Sequence, residues 1–289
     1  MNKLCSVFLL FLLSSCEKNI DFTLDASQPT LVVEAQIENE MAPTVVLTKS
    51  VDYFSQINSQ IFESSFVHNA DVYISTGILT HKLKEYAIPF FPGVNTYYYG
   101  IDSAQLSTAF LGALNTSYTL RVVAEGKEYL STTKIPGLGW IPDSVYYKRP
   151  NTDIDTMRRN MFVTATDPSG LGNFIKYFTK KNSGPYLPGR NSVFSDEIIE
   201  GTTYTTQVDP GMDRNNPDQK FSFEVGDTVT LKFCNIDKAT YTFWNTWEFS
   251  LQSIGNPFAQ PNKVIGNISN GALGAFCGYA SWFKTTILQ

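Results

Sequence analysis

The chain has 289 residues, 43 % of them hydrophobic, and a formal net charge of −5. That hydrophobic content supports a packed fold rather than a disordered chain. The mild acidity, with no basic run, excludes nucleic acid as a partner, because a phosphate backbone demands clustered Lys and Arg.

Met1 to Lys3 is a short cationic start, and Leu4 to Leu13 is an apolar run. The run is too short for the ~30 Å hydrocarbon core of a bilayer, which needs about 20 residues. It reads as the n-region and h-region of a secretory signal spanning residues 1–15. Leu13-Ser14-Ser15-Cys16 then follows the lipobox pattern, in which the Cys16 thiol receives diacylglycerol and the chain is cut before it. The lipid bilayer, reached through acyl chains on Cys16, is therefore an expected partner. An ordinary secretory signal with an incidental Cys is the alternative.

Residues 16–27 read as a polar tether. The remainder is long enough for two domains, each with its own core. Thr30 to Asn39 and Thr44 to Ser50 alternate as strands, and Val51 to Ser65 reads as a long connection. Ala70 to Ser75 and Leu79 to Tyr86 form a hairpin around Thr76-Gly77, and Tyr97-Tyr98-Tyr99 opens another strand. Tyr118 to Ala124 and Lys127 to Ile135 form the clearest hairpin, with Glu125-Gly126 at its turn. This density of short strands predicts an immunoglobulin-like β-sandwich over residues 28–136.

A Pro/Gly break at Pro136 to Pro142 marks the expected boundary with a second β-rich domain over residues 140–289. Val145 to Lys148, Met161 to Thr166, Phe174 to Lys180, Thr202 to Val208, Phe221 to Val225 and Thr228 to Asn235 read as strands. Gly184 to Asn191 reads as a Pro/Gly loop. Tyr241, Trp244, Trp247, Leu251 and Ile254 recur at helical spacing, with Asp237 as a cap and Gly255 as a stop. They predict one helix near 238–254, its aromatic stripe facing the second sheet or, as the alternative, a ligand. The fold class is thus mainly β, a sandwich followed by a β-rich domain with one helix.

Of four Cys, Cys5 leaves with the signal and Cys16 takes the lipid. Cys234 and Cys277 remain, either as one disulfide or as two buried thiols in strand-like stretches. His68 and His81 flank one expected strand pair and can meet as a metal or acid–base pair, or stand exposed at strand ends. Asp209, Asp213, Asn215, Asn216 and Asp218 offer oxygen ligands to calcium, but without EF-hand spacing; a solvated loop is the simpler reading. Tyr97 and Tyr99 share one strand face and Tyr98 the other; core packing explains at least one face, and glycan stacking by this patch is the alternative. HExxH, GxSxG, Walker and dinucleotide motifs are missing. No cofactor and no enzymatic activity are expected.

CEKNID from Cys16, PTLVVEAQIEN from Pro29, TDPSGLGNFIKY from Thr166, and NPFAQPNKVIGNISNGALGAFCGYAS from Asn256 stand in this order along the chain. Together they resemble a Bacteroidota lipoprotein family catalogued as a domain of unknown function, DUF4249. Genes of that family often stand beside a TonB-dependent outer-membrane receptor, and the family has no established catalytic residues. The resemblance therefore implies an outer-membrane lipoprotein that assists a TonB-dependent transporter. A free-standing glycan- or protein-binding module, and an unrecognised hydrolase, are the alternatives. Loops on a rigid sandwich carry recognition. The expected partner contacts are accordingly Phe54, Ile57, Ile61 and Phe62 in the first connection, with Tyr186 and Leu187 in the second. Gly274 and Gly278 suggest close backbone packing.

Overall fold

The computed structural model describes residues 28–51, 58–151, 154–197, 200–213, 222–254 and 262–289. Cys16, Phe54, Ile57 and Gly255 lie outside them, as do Asn215, Asn216 and Asp218. The fold is mainly β. Among the described residues are β1 (Leu31–Glu38), β2 (Thr44–Lys49), helix α1 (Ser59–Ser64), β3 (Asp71–Ser75), β4 (Thr80–Phe91), β5 (Val94–Ile101), β6 (Thr116–Ala124) and β7 (Lys127–Ile135). There follow β8 (Pro142–Lys148), β9 (Arg158–Thr166), β10 (Phe174–Lys181), β11 (Tyr186–Ser195), β12 (Thr203–Val208), β13 (Phe223–Glu224), β14 (Thr228–Ile236), helix α2 (Lys238–Ser253) and β15 (Leu273–Ile287).

One eleven-stranded sheet runs β11-β10-β14-β15-β1-β2-β5-β4-β3-β6-β7. It curls back on itself, so that β7 returns against β15. Inside this curl lies a core of Val33, Ile37, Leu47, Ile74, Leu120 and their neighbours, and β15 adds Phe276 and Ala280 to it. A smaller sheet, β12-β9-β13 with β8 paired to β9, shares with β10 and β14 a second core of Trp140, Met161, Val163, Tyr177, Leu231 and Phe233. Helix α2 covers the other face of β10, β14 and β15, over Phe174, Cys234, Ile236, Cys277 and Tyr279.

Local chemistry explains the clearest elements. Glu125 and Gly126 both take positive φ (51° and 75°), the type I′ geometry that matches the twist of a two-residue hairpin. Asp237 caps α2 by accepting a bond from the Thr240 N–H at 2.8 Å, filling an orphan donor of the first turn. Asn270 and Gly271, again at positive φ, turn the chain into β15.

β15 is the strand on which the sheet depends. It pairs in parallel with β1, Val32 opposite Leu273 through Glu38 opposite Tyr279, and antiparallel with β14. The expected sandwich and the expected second domain therefore share one continuous sheet. The Pro/Gly break between them is anchored: the Trp140 N–H donates to Asn235 Oδ1 at 2.9 Å, and Asn235 Nδ2 donates back to the Trp140 carbonyl at 2.8 Å.

Two expected connections contain regular structure. Within Val51 to Ser65, Asn58 caps α1 by accepting from the Ile61 N–H at 2.9 Å. Gly184 to Asn191 is mostly β11, paired to β10 with Leu187 opposite Thr179 and Pro188 opposite Phe178. β11 is the edge of the sheet, where a Pro that cannot donate is tolerated. Gly189 is needed because a Cβ there would stand 2.5 Å from the Tyr177 hydroxyl.

Candidate functional site

Strand alternation builds the helix-covered face. On β10, Phe174, Lys176 and Phe178 point one way while Ile175 and Tyr177 enter the second core. The register sets Lys232 opposite Phe178 and Cys234 opposite Lys176. Helix α2 lays its stripe on this face. Tyr241 stacks on Phe174 at 4.8 Å between centroids, and Trp244 meets Phe178 edge-on at 5.9 Å. The Trp244 indole N–H donates to the Tyr279 hydroxyl at 2.8 Å.

Beside this contact a groove of about 560 Å³ opens between α2, β11 and the outward face of β1 and β2. Phe178, Tyr186, Phe243, Trp244, Trp247 and Tyr279 wall it, with Glu34, Gln36 and Thr44 adding polar groups. Its size and its mixture of rings with a few polar groups match small-molecule sites.

Two ion pairs, one buried and one partly buried, flank Phe178. Lys176 is fully buried, with Nζ 2.7 Å from Glu248 Oε1 and 2.5 Å from Ser192 Oγ, and it lies 4.2 Å from the Trp244 ring centroid. The Ser192 N–H and hydroxyl also donate to Glu248. Burial pushes the Lys176 ammonium down to about 8, against the pull of the Glu248 charge. Lys232 pairs with Glu38 and is ringed by Phe178, Tyr186, Tyr279 and Phe283 at 5.4–6.0 Å. The Ser–Lys–Glu grouping has the residue types of an activated nucleophile, but Ser192, like Lys176, has no exposed surface. Its chemistry is structural: it fastens α2 to β10 and β11.

A second surface is apolar and open. Phe62 of α1 stacks on Phe90 at 5.9 Å, and Phe90 touches Phe91 at 4.3 Å, at the tip of the β4–β5 hairpin. Ile88, Phe90 and Phe91 are each exposed by half or more.

Residues 17–284 match the family model described as domain of unknown function (DUF4249). The chain belongs to this family. It matches no curated protein.

Several expected site residues of this DUF4249 chain stand elsewhere than the sequence suggested. Cys234 and Cys277 are free and buried, so the disulfide reading is corrected. Cys234 lies opposite Ser281 on β15, four residues along from Cys277. At about 3.3 Å per residue that separation far exceeds the roughly 7 Å limit between bridged Cα atoms. Burial pushes the Cys234 thiol up to about 11 and the Cys277 thiol up to about 12.

The two histidines have separate partners. His68 is exposed, with Nδ1 2.5 Å from Glu85. His81 is buried, contrary to its reading as an exposed strand end: Thr108 Oγ1 lies 2.9 Å from Nδ1, and the Asp102 N–H donates to Nε2 at 3.0 Å. Burial lowers its pKa, with the Asp102 charge acting the other way. Tyr99 is core, its hydroxyl donating to the Val67 carbonyl at 2.9 Å, while Tyr98 stacks on Tyr86. Asp209 has both oxygens engaged, by the Tyr177 hydroxyl and the Arg190 N–H. Ile61 and Phe62 are half-buried on α1. Tyr186 lies exposed on β11, and Leu187 beside it is half-buried.

The sequence reading passed over Lys176, Ser192 and Glu248. A signal was present: Glu248 falls four residues after Trp244 and three before Leu251, a charge set within an apolar helical stripe.

Proposed function

We propose that this DUF4249 chain is a non-enzymatic lipoprotein of the Bacteroidota outer membrane, held by acyl chains on Cys16, that binds a TonB-dependent transporter. The observation that carries this reading is the open apolar surface formed by Phe62, Ile88, Phe90 and Phe91. Contiguous apolar surface rimmed by polar residues marks an interaction site on a soluble body. Three of these four side chains sit on a hairpin tip, where they contribute little to either core.

The test is purification of the tagged lipoprotein from its native membrane in mild detergent. A TonB-dependent receptor is expected in stoichiometric amount, and Phe90→Ser with Phe91→Ser is expected to lose it. Cys16→Ser is expected to abolish palmitate labelling. If no receptor co-purifies and deletion of the gene leaves every receptor-dependent uptake unchanged, the partnership is wrong.

The aromatic groove beside α2 favours a second reading, a free-standing module that binds a glycan or another ligand. Rings such as Trp244 and Trp247 offer stacking faces, and Glu34 and Gln36 offer hydrogen bonds. Trp247→Ala weakening binding on a glycan array, with receptor co-purification absent, would establish that reading.

A further inference from the structure

Asp167, Asp196 and Glu200 come together at one end of the smaller sheet. Asp167 directly follows β9 and Asp196 directly follows β11, so two strand ends deliver the aspartates, and the loop leading to β12 delivers Glu200. One carboxylate oxygen from each lies within 4.8 Å of the other two.

The loops are cross-linked so as to hold this arrangement. Asp167 Oδ2 accepts from the Gly201 N–H at 2.9 Å, Asp196 Oδ2 from the Asn173 N–H at 2.7 Å, and Glu200 Oε1 from the Gly170 N–H at 2.5 Å. Each carboxylate therefore clamps the opposite loop. The Asp167 N–H donates to the Thr202 carbonyl, and the Asp196 N–H donates to the Asn173 carbonyl. Asn173 Nδ2 closes its own loop on the carbonyls of Pro168 and Gly170. Gly170 and Gly172, at φ +105° and +109°, give the backbone turns that ordinary residues resist.

These bonds use one oxygen of each aspartate and leave the other bare. Asp167 is 2 % exposed and Asp196 is fully buried, and the Oδ1 atom of each has no hydrogen-bond partner. Among the described residues no Lys, Arg or His forms an ion pair with any of the three carboxylates. Buried acceptors are almost always satisfied, and buried charges are paired or bind a metal. Two buried aspartates that each keep an orphan oxygen, clustered with a third carboxylate and without a cation from the chain, call for a cation from outside.

We propose that Asp167, Asp196 and Glu200 form a calcium site that ties the β9–β10 loop to the β11–β12 loop. The donors are all oxygen, which selects a hard cation over zinc or copper. Calcium bonds to oxygen at about 2.3–2.6 Å, so two oxygens on one ion stand at most roughly 5 Å apart, in agreement with the observed spacing. The flexible geometry of calcium accepts carboxylates fixed by their loops, whereas magnesium demands a near-ideal octahedron and keeps its waters. Glu200 is exposed, which gives the ion a way in. The site is separate from both the apolar patch and the aromatic groove, and it does not depend on the transporter reading.

The test uses the soluble chain of residues 17–289, stripped with chelator. Calorimetric titration with calcium chloride is expected to show one equivalent bound, with Kd between micromolar and millimolar. The melting temperature is expected to rise with calcium and to fall back with EGTA. Terbium should bind in calcium's place and luminesce on excitation of Tyr204, whose neighbour Thr203 pairs with Thr166 next to Asp167. Asp196→Asn is expected to lower affinity at least tenfold. Because it removes one of three repelling charges, it should melt no lower than the metal-free parent, which separates a lost ion from a lost fold. Asp167→Asn gives a second, independent reading of the same loss. No binding at 10 mM calcium overturns the proposal, as does magnesium binding as tightly as calcium. Affinity unchanged in both variants but lost in Asp213→Asn overturns it too, because the ion would then lie in the 209–219 loop.

Discussion

Gly278 of β15 lies against the backbone of Lys134 in β7: a Cβ at Gly278 would stand 2.6 Å from the Lys134 carbonyl oxygen and 2.8 Å from its carbon. This contact is where the curled sheet closes. Backbone on a paired strand has little room to retreat, so Gly278→Ala must push β7 away from β15. Overpacking of this kind costs about 1–3 kcal/mol. Urea denaturation of the variant is expected to show a loss in that range, and a loss below about 0.5 kcal/mol would mean that β7 can move freely.

The same strand bears on autonomy of the first half. β15 covers the edge of β1 along seven paired residues and supplies Phe276 and Ala280 to the first core. Residues 28–136 expressed by themselves would bare that edge, and a bare edge strand aggregates. The fragment is expected to be insoluble or disordered. A well-dispersed amide NMR spectrum from it would show that the sandwich folds without β15.

Lys176 and Glu248 give a double-mutant test. Removing one member of a buried pair leaves the other charge uncompensated, at about 3–5 kcal/mol. Lys176→Met is expected to cost that much, and Lys176→Met with Glu248→Gln to recover most of it, because Gln still accepts from Ser192. The pH dependence has a definite sign. Folding lowers Lys176 from 10.5 to about 8, so between those values the unfolded chain binds the extra proton. Stability from this group therefore rises with pH across that window. The parent should gain stability from pH 8 to 10 relative to the double variant, and equal slopes would contradict the burial.

The free thiols are directly countable. Cys234 and Cys277 are both buried, and burial raises both pKa values, which keeps them as unreactive thiols. In the chain of residues 17–289, a thiol reagent at pH 8 is expected to find none in the native protein and two after denaturation without reductant. Finding none after denaturation would show a bridge.

What was legible in the sequence was local. The Glu125-Gly126 hairpin, the Asp237 cap and the Asn270-Gly271 turn each declare themselves within a few residues, because positive φ and capping are short-range demands. Strand β11 was obscured because Pro188 and Gly189 carry a loop signature. Their meaning, an edge position and a close approach to Tyr177, exists only in the assembled sheet. β15 has no sequence signal beyond a short apolar stretch between Gly274 and Gly278, since its parallel partner β1 lies some 240 residues away and parallel pairing leaves no turn between the strands. Asp167 opens the turn-forming run Asp167-Pro168-Ser169-Gly170, but Asp196 and Glu200 have no motif spacing to it. Three strand and loop ends bring them together, and no sequence period records that.

The last prediction concerns Phe62 and Tyr186, both expected from sequence to touch a partner. The structure sets them on different elements: Phe62 on α1 against Phe66 and Phe90, Tyr186 on β11 at the groove beside Phe283 and Lys232. In the sheet order β10, β14, β15, β1 and β2 lie between β11 and β5, the strand whose hairpin carries the Phe90 patch. A partner docked on the patch should therefore feel Phe62 and not Tyr186. Stable interfaces bury on the order of 1,200–2,000 Å² and concentrate their energy in a few aromatic anchors. Phe62→Ala is expected to cost more than about 1 kcal/mol of receptor affinity, roughly fivefold in Kd, with an unchanged circular dichroism spectrum. Tyr186→Ala should leave receptor affinity within twofold while weakening any ligand held between Tyr186 and Trp244. If Tyr186→Ala instead lowers receptor affinity and Phe62→Ala does not, the receptor docks over the groove, and the patch at the β4–β5 tip has another use.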